Sequence, residues 1–176
     1  MPTNQIQLIR DRIRDVPDFP KPGILFKDIT PLLADPQALH AATEALAAPY
    51  HDSRIDLVIG IEARGFIFGT AVAGLLGTGF VPIRKPEKLP RETRSVSYEL
   101  EYGRDALEIH ADAVAAGQRV LLVDDLLATG GTSRAACDLL AGMEAEIVEV
   151  AVLIELELLK GRQRLAPFEA RSVLKF

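Results

Sequence analysis

Four short apolar runs have the length and composition of buried β-strands. They are DLVIGI at 56–61, FVPI at 80–83, RVLLVDD at 119–125 and IVEVAVLI at 147–154. A stretch of small and apolar residues at 66–76 follows the first run, and apolar residues at helical spacing follow the third at 133–143. Strands that alternate with helices of this size predict parallel crossover units, and therefore an α/β fold whose sheet is covered on both faces.

The rest of the chain contains shorter and more interrupted elements. Apolar residues at helical spacing predict an amphipathic helix over 4–15 and a second helix over 36–50, separated by a proline-rich segment at 18–31. Residues 84–94 hold five basic and two acidic side chains with two prolines, which predicts a mobile loop. The alternating sequences SVSYELEY and DALEIH on either side of Gly103 predict a short antiparallel hairpin after that loop.

The composition limits the class of protein and its partners. Of the 176 residues, 48% are hydrophobic and 26% are charged, which excludes a disordered polyelectrolyte and is typical of one folded domain over 1–176. The net charge of −5 argues against binding driven by nucleic-acid phosphates. The sequence has no long uncharged apolar stretch and no signal-peptide pattern, so we expect a cytoplasmic protein without membrane or nucleic-acid partners.

The richest chemical pattern is VLLVDDLLATGGTS at 120–133. A buried-type strand ends in two adjacent carboxylates, Asp124 and Asp125, and a glycine-rich segment at 128–132, called the phosphate loop below, opens a helix. Ligands of open α/β sheets bind beyond the carboxyl ends of the strands, where these groups are expected. Because Gly130 and Gly131 lack a Cβ, backbone N–H groups can approach a ligand, and together with the helix dipole they favour a phosphate.

Two common nucleotide-binding motifs do not occur in this segment: it has neither GxxxxGK[ST] nor GxGxxG after its strand. Two carboxylates directly before a phosphate loop can instead accept hydrogen bonds from the vicinal hydroxyls of a ribose, so the pattern favours a sugar phosphate as ligand. The alternative is a purely structural strand end, with an aspartate cap and a glycine turn.

The segment VLLVDDLLATGGTS resembles the phosphoribosyl pyrophosphate signature of the type I phosphoribosyltransferases. Four further segments, in the family's order along nearly the whole chain, resemble the adenine-specific members of that family. They are DFPKPGILFKDIT at 18–30, GIEARGFIFG at 60–69, IRKPEKLPRET at 83–93 and LEYGRDALEIH at 100–110. The sequence is therefore similar to those of the adenine phosphoribosyltransferases.

The resemblance implies both a reaction and a fold. The reaction transfers a ribose phosphate from phosphoribosyl pyrophosphate to adenine in purine salvage, giving AMP and pyrophosphate, with Mg2+ carried by phosphoribosyl pyrophosphate and no metal ligand from the protein. The type I phosphoribosyltransferase fold has a mainly parallel five-stranded sheet flanked by helices, here with a small N-terminal hood at 1–35 and a flexible loop and hairpin at 84–110. A homodimer is also implied.

Two alternative functions stay open at this point. The first is a phosphoribosyltransferase for an oxopurine such as hypoxanthine or xanthine, and the segment at 24–27 would discriminate between the bases. The second is a non-catalytic regulator that keeps the fold in order to sense phosphoribosyl pyrophosphate. The acidic balance of the chain argues against a regulator that binds nucleic acid.

The resemblance also assigns roles to individual residues. Glu101 would accept the purine proton, although the alternation in SYELEY by itself favours a solvated position for this side chain. Asp124 and Asp125 would stabilise the ribosyl cation that forms as pyrophosphate departs. The substrate-binding residues that it implies are Leu25, Phe26 and Lys27 for adenine, Glu62, Ala63 and Arg64 for pyrophosphate, Arg84 (in its own or the partner subunit's site) and Lys88 for the diphosphate, Tyr102 in support of Glu101, and Ala128, Thr129, Gly130, Gly131 and Thr132 for the phosphate.

Overall fold

The computed structural model describes residues 3–99 and 104–176 of the chain. They divide into two compact units, Met1–Ala45 and Leu46–Phe176. None of the helices described is long and apolar enough to cross a membrane. The sequence-based division into one domain, with a hood at 1–35 and a mobile segment at 84–110, stays a prediction.

The first unit combines short helices with a two-stranded antiparallel sheet. In chain order it contains α1 (Thr3–Asp11), β1 (Arg14–Pro17), β2 (Leu25–Asp28), α2 (Thr30–Ala34) and most of α3 (Pro36–Ala47). Arg14 lies opposite Asp28 in the sheet. The helix predicted over 4–15 is wrong beyond Asp11, because the chain enters β1 instead. Pairing with β2 satisfies the backbone groups of β1, and local apolar spacing carries no information about that distant partner.

A local capping signal starts α3. The Oδ1 atom of Asp35 accepts hydrogen bonds from the backbone N–H groups of Gln37 at 2.9 Å and Ala38 at 3.1 Å, and Pro36 occupies the first helical position. A 3-10 helix at Ala48–Tyr50 follows α3 directly. The helix predicted over 36–50 is therefore confirmed, with a tighter last turn.

The second unit is built on a parallel sheet. Its elements in chain order are β3 (Leu57–Ile61), α4 (Gly65–Leu76), β4 (Gly79–Ile83), β5 (Thr93–Glu99), β6 (Arg104–His110), β7 (Arg119–Leu127), α5 (Gly131–Ala141), β8 (Glu146–Glu155), a 3-10 helix (Glu157–Leu159), α6 (Gly161–Leu165) and β9 (Ala170–Lys175). Five strands form one sheet in the order β4-β3-β7-β8-β9, and every neighbouring pair is parallel. The predicted α/β class with a five-stranded parallel sheet is confirmed.

The burial of the central strand β7 explains why a continuous apolar run in the sequence predicted a strand. Four consecutive residues of this strand are fully buried: Val120, Leu121, Leu122 and Val123. Successive side chains of a strand point to opposite faces, so both faces of the sheet are covered. The strand continues to Leu127, beyond the predicted end at 125, because Leu126 and Leu127 pair with Ile154 and Glu155 of β8. Helix α5 correspondingly begins at Gly131, before the predicted range 133–143.

The predicted hairpin is present as β5 and β6, which pair antiparallel with Thr93 opposite His110. The predicted loop at 84–94 is shorter than expected, because β5 already begins at Thr93. A separate two-way backbone contact joins the hairpin to the end of β4: the N–H groups of Arg84 and Glu108 each donate to the other's carbonyl oxygen at 2.8 Å. Strand β6 is therefore fixed next to the carboxyl end of β4.

Candidate active site

A cavity of about 260 Å³ lies at the carboxyl ends of β3 and β7, within the second unit. Neighbouring parallel strands end at the same edge of a sheet, which brings the segments that follow them together. Ten of the predicted site residues line the cavity: Glu62, Ala63, Arg64, Asp124, Asp125, Ala128, Thr129, Gly130, Gly131 and Thr132. Lys85 and Ser133 line it as well, together with Ile61 and Leu126.

The turn at 62–64, called the β3 turn below, is fixed by the Glu62 carboxylate. Arg84 binds both carboxylate oxygens, with Nε 3.1 Å from Oε2 and Nη2 3.2 Å from Oε1. The backbone N–H of Lys85 donates to Oε2 at 3.1 Å. The hydrogen bonds from Arg84 hold the pKa of Glu62 below its ordinary value, against the opposing effect of burial. Glu62 therefore stays ionised and ties the turn to the end of β4.

Two residues predicted to bind the diphosphate are placed by this contact. Arg84 directs its guanidinium at Glu62, and its Nη1 also donates to the backbone carbonyl of Lys88 at 3.0 Å. The carbonyl contact fixes the course of the chain after β4 but does not involve the Lys88 ammonium group. The predicted roles of Arg84 and Lys88 toward a diphosphate stay predictions.

The two carboxylates at the end of β7 are adjacent, and one of them contacts the β3 turn. The backbone N–H of Asp125 donates to Oδ1 of Asp124 at 2.8 Å, and Arg64 Nε lies 2.9 Å from Oδ2 of Asp125. Burial raises the pKa of both carboxyl groups, and the neighbouring Asp125 charge raises that of Asp124 further. Arg64 opposes the rise at Asp125. Asp125 is therefore the more readily ionised member, and its charge is matched by the β3 turn.

Helix α4 begins unusually close to this pair. A Cβ added to Gly65, its first residue, would lie 2.9 Å from the carbonyl oxygen of Val123 and 3.0 Å from Oδ1 of Asp124. Contacts of this length leave no room for a side chain. Glycine at this position lets the β3 turn approach the Asp124 carboxylate, which the sequence segment GIEARGFIFG alone did not reveal.

The phosphate loop runs from β7 into the N-terminus of α5. Gly130 has φ +80, a left-handed conformation that favours glycine, and its carbonyl accepts the N–H of Arg134 at 2.9 Å. The N–H groups of the first helical residues have no partner within a helix, and Gly131, Thr132 and Ser133 line the cavity. The loop thus presents backbone donors and the positive end of a helix dipole, an arrangement suited to a phosphate.

The missing side chains of the two loop glycines face protein atoms. A Cβ on Gly130 would lie 2.4 Å from the carbonyl oxygen of Gly161, and a Cβ on Gly131 would lie 3.4 Å from a guanidinium nitrogen of Arg164. Both glycines were predicted to allow the close approach of a ligand. The structure adds a packing reason at Gly130, because the backbone of α6 lies directly against it, whereas the Gly131 contact is of ordinary length.

Lys85 is a cavity residue that the sequence patterns did not indicate. Its ammonium group forms an ion pair with Asp105 of β6 and lies 3.4 Å from the Tyr98 hydroxyl. Burial lowers the pKa of Lys85, but the hydrogen bonds and charge interactions with Asp105 and Tyr98 together outweigh it, so the pKa is raised overall. Thr132 of the phosphate loop donates to the same Tyr98 hydroxyl at 3.4 Å. In the sequence, Lys85 follows Arg84, which comes directly after the FVPI run at 80–83, and this position at the end of a predicted strand could have indicated it.

Five predicted residues remain, and two of them fall outside the described part of the chain. Glu101 and Tyr102 fall at 100–103, outside the described residues. Leu25, Phe26 and Lys27 lie on β2 of the first unit, where Lys27 is buried and its Nζ is 2.6 Å from Oδ1 of Asp15. The Lys27 charge is thus engaged within the hairpin of that unit.

The side chains that commonly bind cations do not gather into a metal site in the described part of the chain. Over residues 3–99 and 104–176, no group of three or more His, Cys, Asp or Glu side chains is placed to hold a metal ion. The cavity does contain the two adjacent carboxylates of Asp124 and Asp125. The predicted absence of a metal ligand from the protein stays a prediction.

Comparison with known proteins assigns the chain to a family. The model of the phosphoribosyl transferase domain matches residues 30–173. The chain belongs to the phosphoribosyltransferase family. This phosphoribosyltransferase is 58% identical to the adenine phosphoribosyltransferase of Rhodopirellula baltica, over 96% of this chain and 82% of the relative. It is 57% identical to that of Thermobifida fusca, over 98% of each chain.

Solved structures support the same assignment. The adenine phosphoribosyltransferase of Rhodothermus marinus superposes with a TM-score of 0.94 at 48% identity, over 99% of this chain and all of that chain. The Saccharomyces cerevisiae enzyme, crystallised with adenine and an imino-altritol bisphosphate, gives 0.93 at 38% identity, over 98% of this chain and 100% of that chain. The resemblance and the type I phosphoribosyltransferase fold predicted from the sequence are confirmed. Neither alternative function is favoured by these comparisons.

Proposed function

We propose that the protein transfers the phosphoribosyl group of phosphoribosyl pyrophosphate to adenine, which forms AMP and pyrophosphate in purine salvage. One observation carries the proposal: the β3 turn, the Asp124–Asp125 pair and the phosphate loop line the same cavity. A sugar that carries a phosphate at one end and a diphosphate at the other needs anion sites on both sides of a ribose site. The similarity to adenine phosphoribosyltransferases supports adenine as the base.

The phosphate loop is proposed to bind the phosphate that remains on the ribose. Backbone N–H groups of Gly130, Gly131 and Thr132 would donate to its oxygens, and the N-terminus of α5 would favour its charge. The loop residues Ala128 and Thr129 shape the same wall of the cavity. Because these donors are backbone groups, binding requires no side-chain movement.

The β3 turn is proposed to bind pyrophosphate. Arg64 already faces an anion, the Asp125 carboxylate at 2.9 Å, and a guanidinium suits the planar, bidentate binding of phosphate oxygens. Lys85 adds a positive charge to the same cavity. Glu62 and Ala63 form the rest of the turn, and Arg84 and Lys88 are proposed to contact the diphosphate, Arg84 in its own or the partner subunit's site.

Asp124 and Asp125 are proposed to face the ribose. Positive charge develops on the sugar as the bond to pyrophosphate breaks, and preorganised carboxylates in a shielded cavity stabilise such charge strongly. The site also fits Mg2+ carried by the substrate without a direct protein ligand, since Mg2+ usually keeps several waters and is held by substrate phosphates, and the Asp124 and Asp125 carboxylates would accept hydrogen bonds from those waters. When it is carried by the substrate, Mg2+ would neutralise charge on the diphosphate.

The resemblance supplies the proposed residues for the base. Leu25, Phe26 and Lys27 are proposed to bind adenine, mainly through backbone groups. Glu101 is proposed to accept the purine proton, with Tyr102 in support. A homodimer is proposed on the same ground, and the cytoplasmic location expected from the sequence stays a prediction.

The proposal is tested by incubating the protein with phosphoribosyl pyrophosphate, Mg2+ and one purine base at a time, followed by chromatographic identification of the nucleotide. We expect AMP from adenine, little product from hypoxanthine, guanine or xanthine, and loss of turnover when a chelator removes Mg2+. A larger yield from an oxopurine would favour the oxopurine enzyme. Tight binding of phosphoribosyl pyrophosphate without any nucleotide product would favour the regulator.

A further inference from the structure

The phosphate loop packs against a second backbone segment, at the start of α6, without side chains in between. A Cβ added to Gly161 would lie 2.2 Å from the carbonyl oxygen of Ala128 and 3.0 Å from the backbone nitrogen of Gly130. The contact is reciprocal, since a Cβ on Gly130 would lie 2.4 Å from the carbonyl oxygen of Gly161. Backbone atoms cannot rotate away as a flexible side chain can. Any group larger than hydrogen at Gly161 must therefore displace the loop, α6 or both.

The residue after Gly161 anchors this contact to the sheet. Arg162 binds the Glu155 carboxylate with both sides of its guanidinium, Nε 3.0 Å from Oε1 and Nη2 2.5 Å from Oε2, and it also donates to the carbonyl oxygen of Ala170. Glu155 is 5% exposed, and Ser172 donates to its Oε2 at 2.7 Å. The Glu155 carboxylate is buried whereas Arg162 is 41% exposed, so the bidentate hydrogen bonds, and not shielding of both charges, give the pair its defined geometry.

The Arg162–Glu155 ion pair and the phosphate loop both lie at the ends of the neighbouring strands β7 and β8. Glu155, the last residue of β8, pairs with Leu127, the last residue of β7 and the one before Ala128. The backbone N–H of Leu156 donates to the carbonyl oxygen of Leu127 at 3.0 Å. One strand pair therefore leads on one side into the phosphate loop and on the other into the segment that supports it.

We propose that Gly161 is a positioning residue for the phosphate loop, and that the Arg162–Glu155 ion pair keeps it in contact with Ala128 and Gly130. The proposal rests on the proposed function, because it takes the loop to bind the ribose phosphate. Gly161 touches no ligand in this arrangement. It sets the position of the loop backbone, and therefore the alignment of the donor N–H groups with the phosphate oxygens.

The decisive variant is Gly161→Ala. Gly161 does not have a positive φ, so alanine brings a steric contact without conformational strain. We expect the Kd of AMP, measured by calorimetry, to rise about tenfold or more, the effect of misaligning one or two charge-assisted hydrogen bonds. The Kd of pyrophosphate with Mg2+ should change less than twofold, because the β3 turn is anchored to other residues. A general loss of structure would weaken both ligands together.

The matched control is Gly74→Ala. Gly74 lies in α4, also without a positive φ, and an added Cβ there meets no atom within 4 Å. We expect its AMP and pyrophosphate affinities to equal those of the wild type. An AMP affinity within twofold of wild type in Gly161→Ala, or equal losses for AMP and pyrophosphate, overturns the proposal.

A second variant covers the case in which Gly161→Ala does not fold. Arg162→Lys keeps the positive charge but loses the planar fork that matches the Glu155 carboxylate. We expect AMP to bind several-fold more weakly and pyrophosphate to bind as before, and an unchanged AMP affinity would then overturn the proposal. Failure of the proposed function is distinguished by the wild type, which in that case would neither bind AMP nor produce it.

Discussion

The β3 turn and the phosphate loop follow neighbouring parallel strands and line one cavity, but different forces hold them. The β3 turn is fixed by side-chain charge, with Glu62 bound to Arg84 and Arg64 bound to Asp125. The phosphate loop is fixed by shape, because Gly130 packs directly on the backbone of Gly161. Neutralising a carboxylate should therefore disturb the β3 turn, and adding a methyl group to a glycine should disturb the phosphate loop.

The difference matches what happens to each anion in the proposed reaction. The ribose phosphate is present in both phosphoribosyl pyrophosphate and AMP, so a rigid backbone site serves every step. The diphosphate arrives and leaves in each cycle. The arginines that pair with Glu62 and Asp125 are suited to exchange those carboxylates for phosphate oxygens, because a guanidinium binds either anion through the same planar set of N–H groups.

The largest expected effect comes from Asp125→Asn. Asparagine keeps the size of the side chain but removes the charge that faces Arg64 and the proposed ribosyl cation. We expect kcat/KM for phosphoribosyl pyrophosphate to fall about a hundredfold to a thousandfold, as for other preorganised electrostatic groups. Steady-state kinetics measure this. Asp112→Asn, at an exposed ion pair with Arg91, is the control and should have wild-type kinetics.

An Asp125→Asn variant within threefold of wild type would remove the charge of this residue from the mechanism. It would also show that the Arg64 contact is dispensable for the β3 turn. Side-chain charge at Asp125 would then not be what holds the β3 turn.

An intermediate effect is expected from Gly130→Ala. Alanine at φ +80 is strained, and its Cβ would meet the Gly161 carbonyl oxygen at 2.4 Å. We expect the Kd of AMP to rise about tenfold to a hundredfold, measured by calorimetry on folded protein. Gly117→Ala separates the two causes, because Gly117 has φ +76 and an added Cβ meets nothing within 4 Å.

In Gly117→Ala we expect a loss of stability of about 1–2 kcal/mol from backbone strain, with no change in AMP affinity. Equal AMP affinities in the two variants would mean that the contact with Gly161 does not position the loop.

The smallest effect concerns Glu62→Gln and its dependence on pH. The pKa of Glu62 is lowered in the folded protein by the hydrogen bonds from Arg84, so its contribution to stability is complete above the ordinary value of 4.5. It is lost as the pH falls through the lowered folded-state pKa. We expect urea unfolding at pH 7 to show a deficit of up to about 1 kcal/mol in the variant, which shrinks in acid.

A deficit of the same size at every pH would show that the Glu62 charge is not what holds the β3 turn. The exposed pair of Arg91 and Asp112, 3.4 Å apart, provides the reference, and its removal should change the free energy of unfolding less at pH 7.

Sequence-based prediction worked best for patterns that are contiguous in the chain. The run RVLLVDD lies in a strand buried on both faces, so nearly every residue is apolar until the carboxylates begin. The phosphate loop is equally local, since glycines, hydroxyl groups and a helix start follow each other directly. Asp124, Asp125 and Gly130 were therefore identifiable as parts of one site from the sequence alone.

Prediction failed where a distant segment decides the local structure. Ile13 and Val16 continue the helical apolar spacing of the N-terminal segment, yet residues 14–17 pair with β2. Strand β9 has a mixed polar sequence and forms because β8 offers an unpaired edge. Lys85 reaches the cavity only because the end of β4 lies beside β3.

By itself, the sequence determined three of the chemical features that line the cavity: two carboxylates, a glycine-rich loop and an arginine after a strand. The tertiary structure decided how they are held. Gly161 and Gly130 are far apart in the chain, and nothing in the local pattern of either residue shows that their backbones touch. Chemical identity is a property of short segments, whereas position depends on packing between segments that meet only in the folded chain.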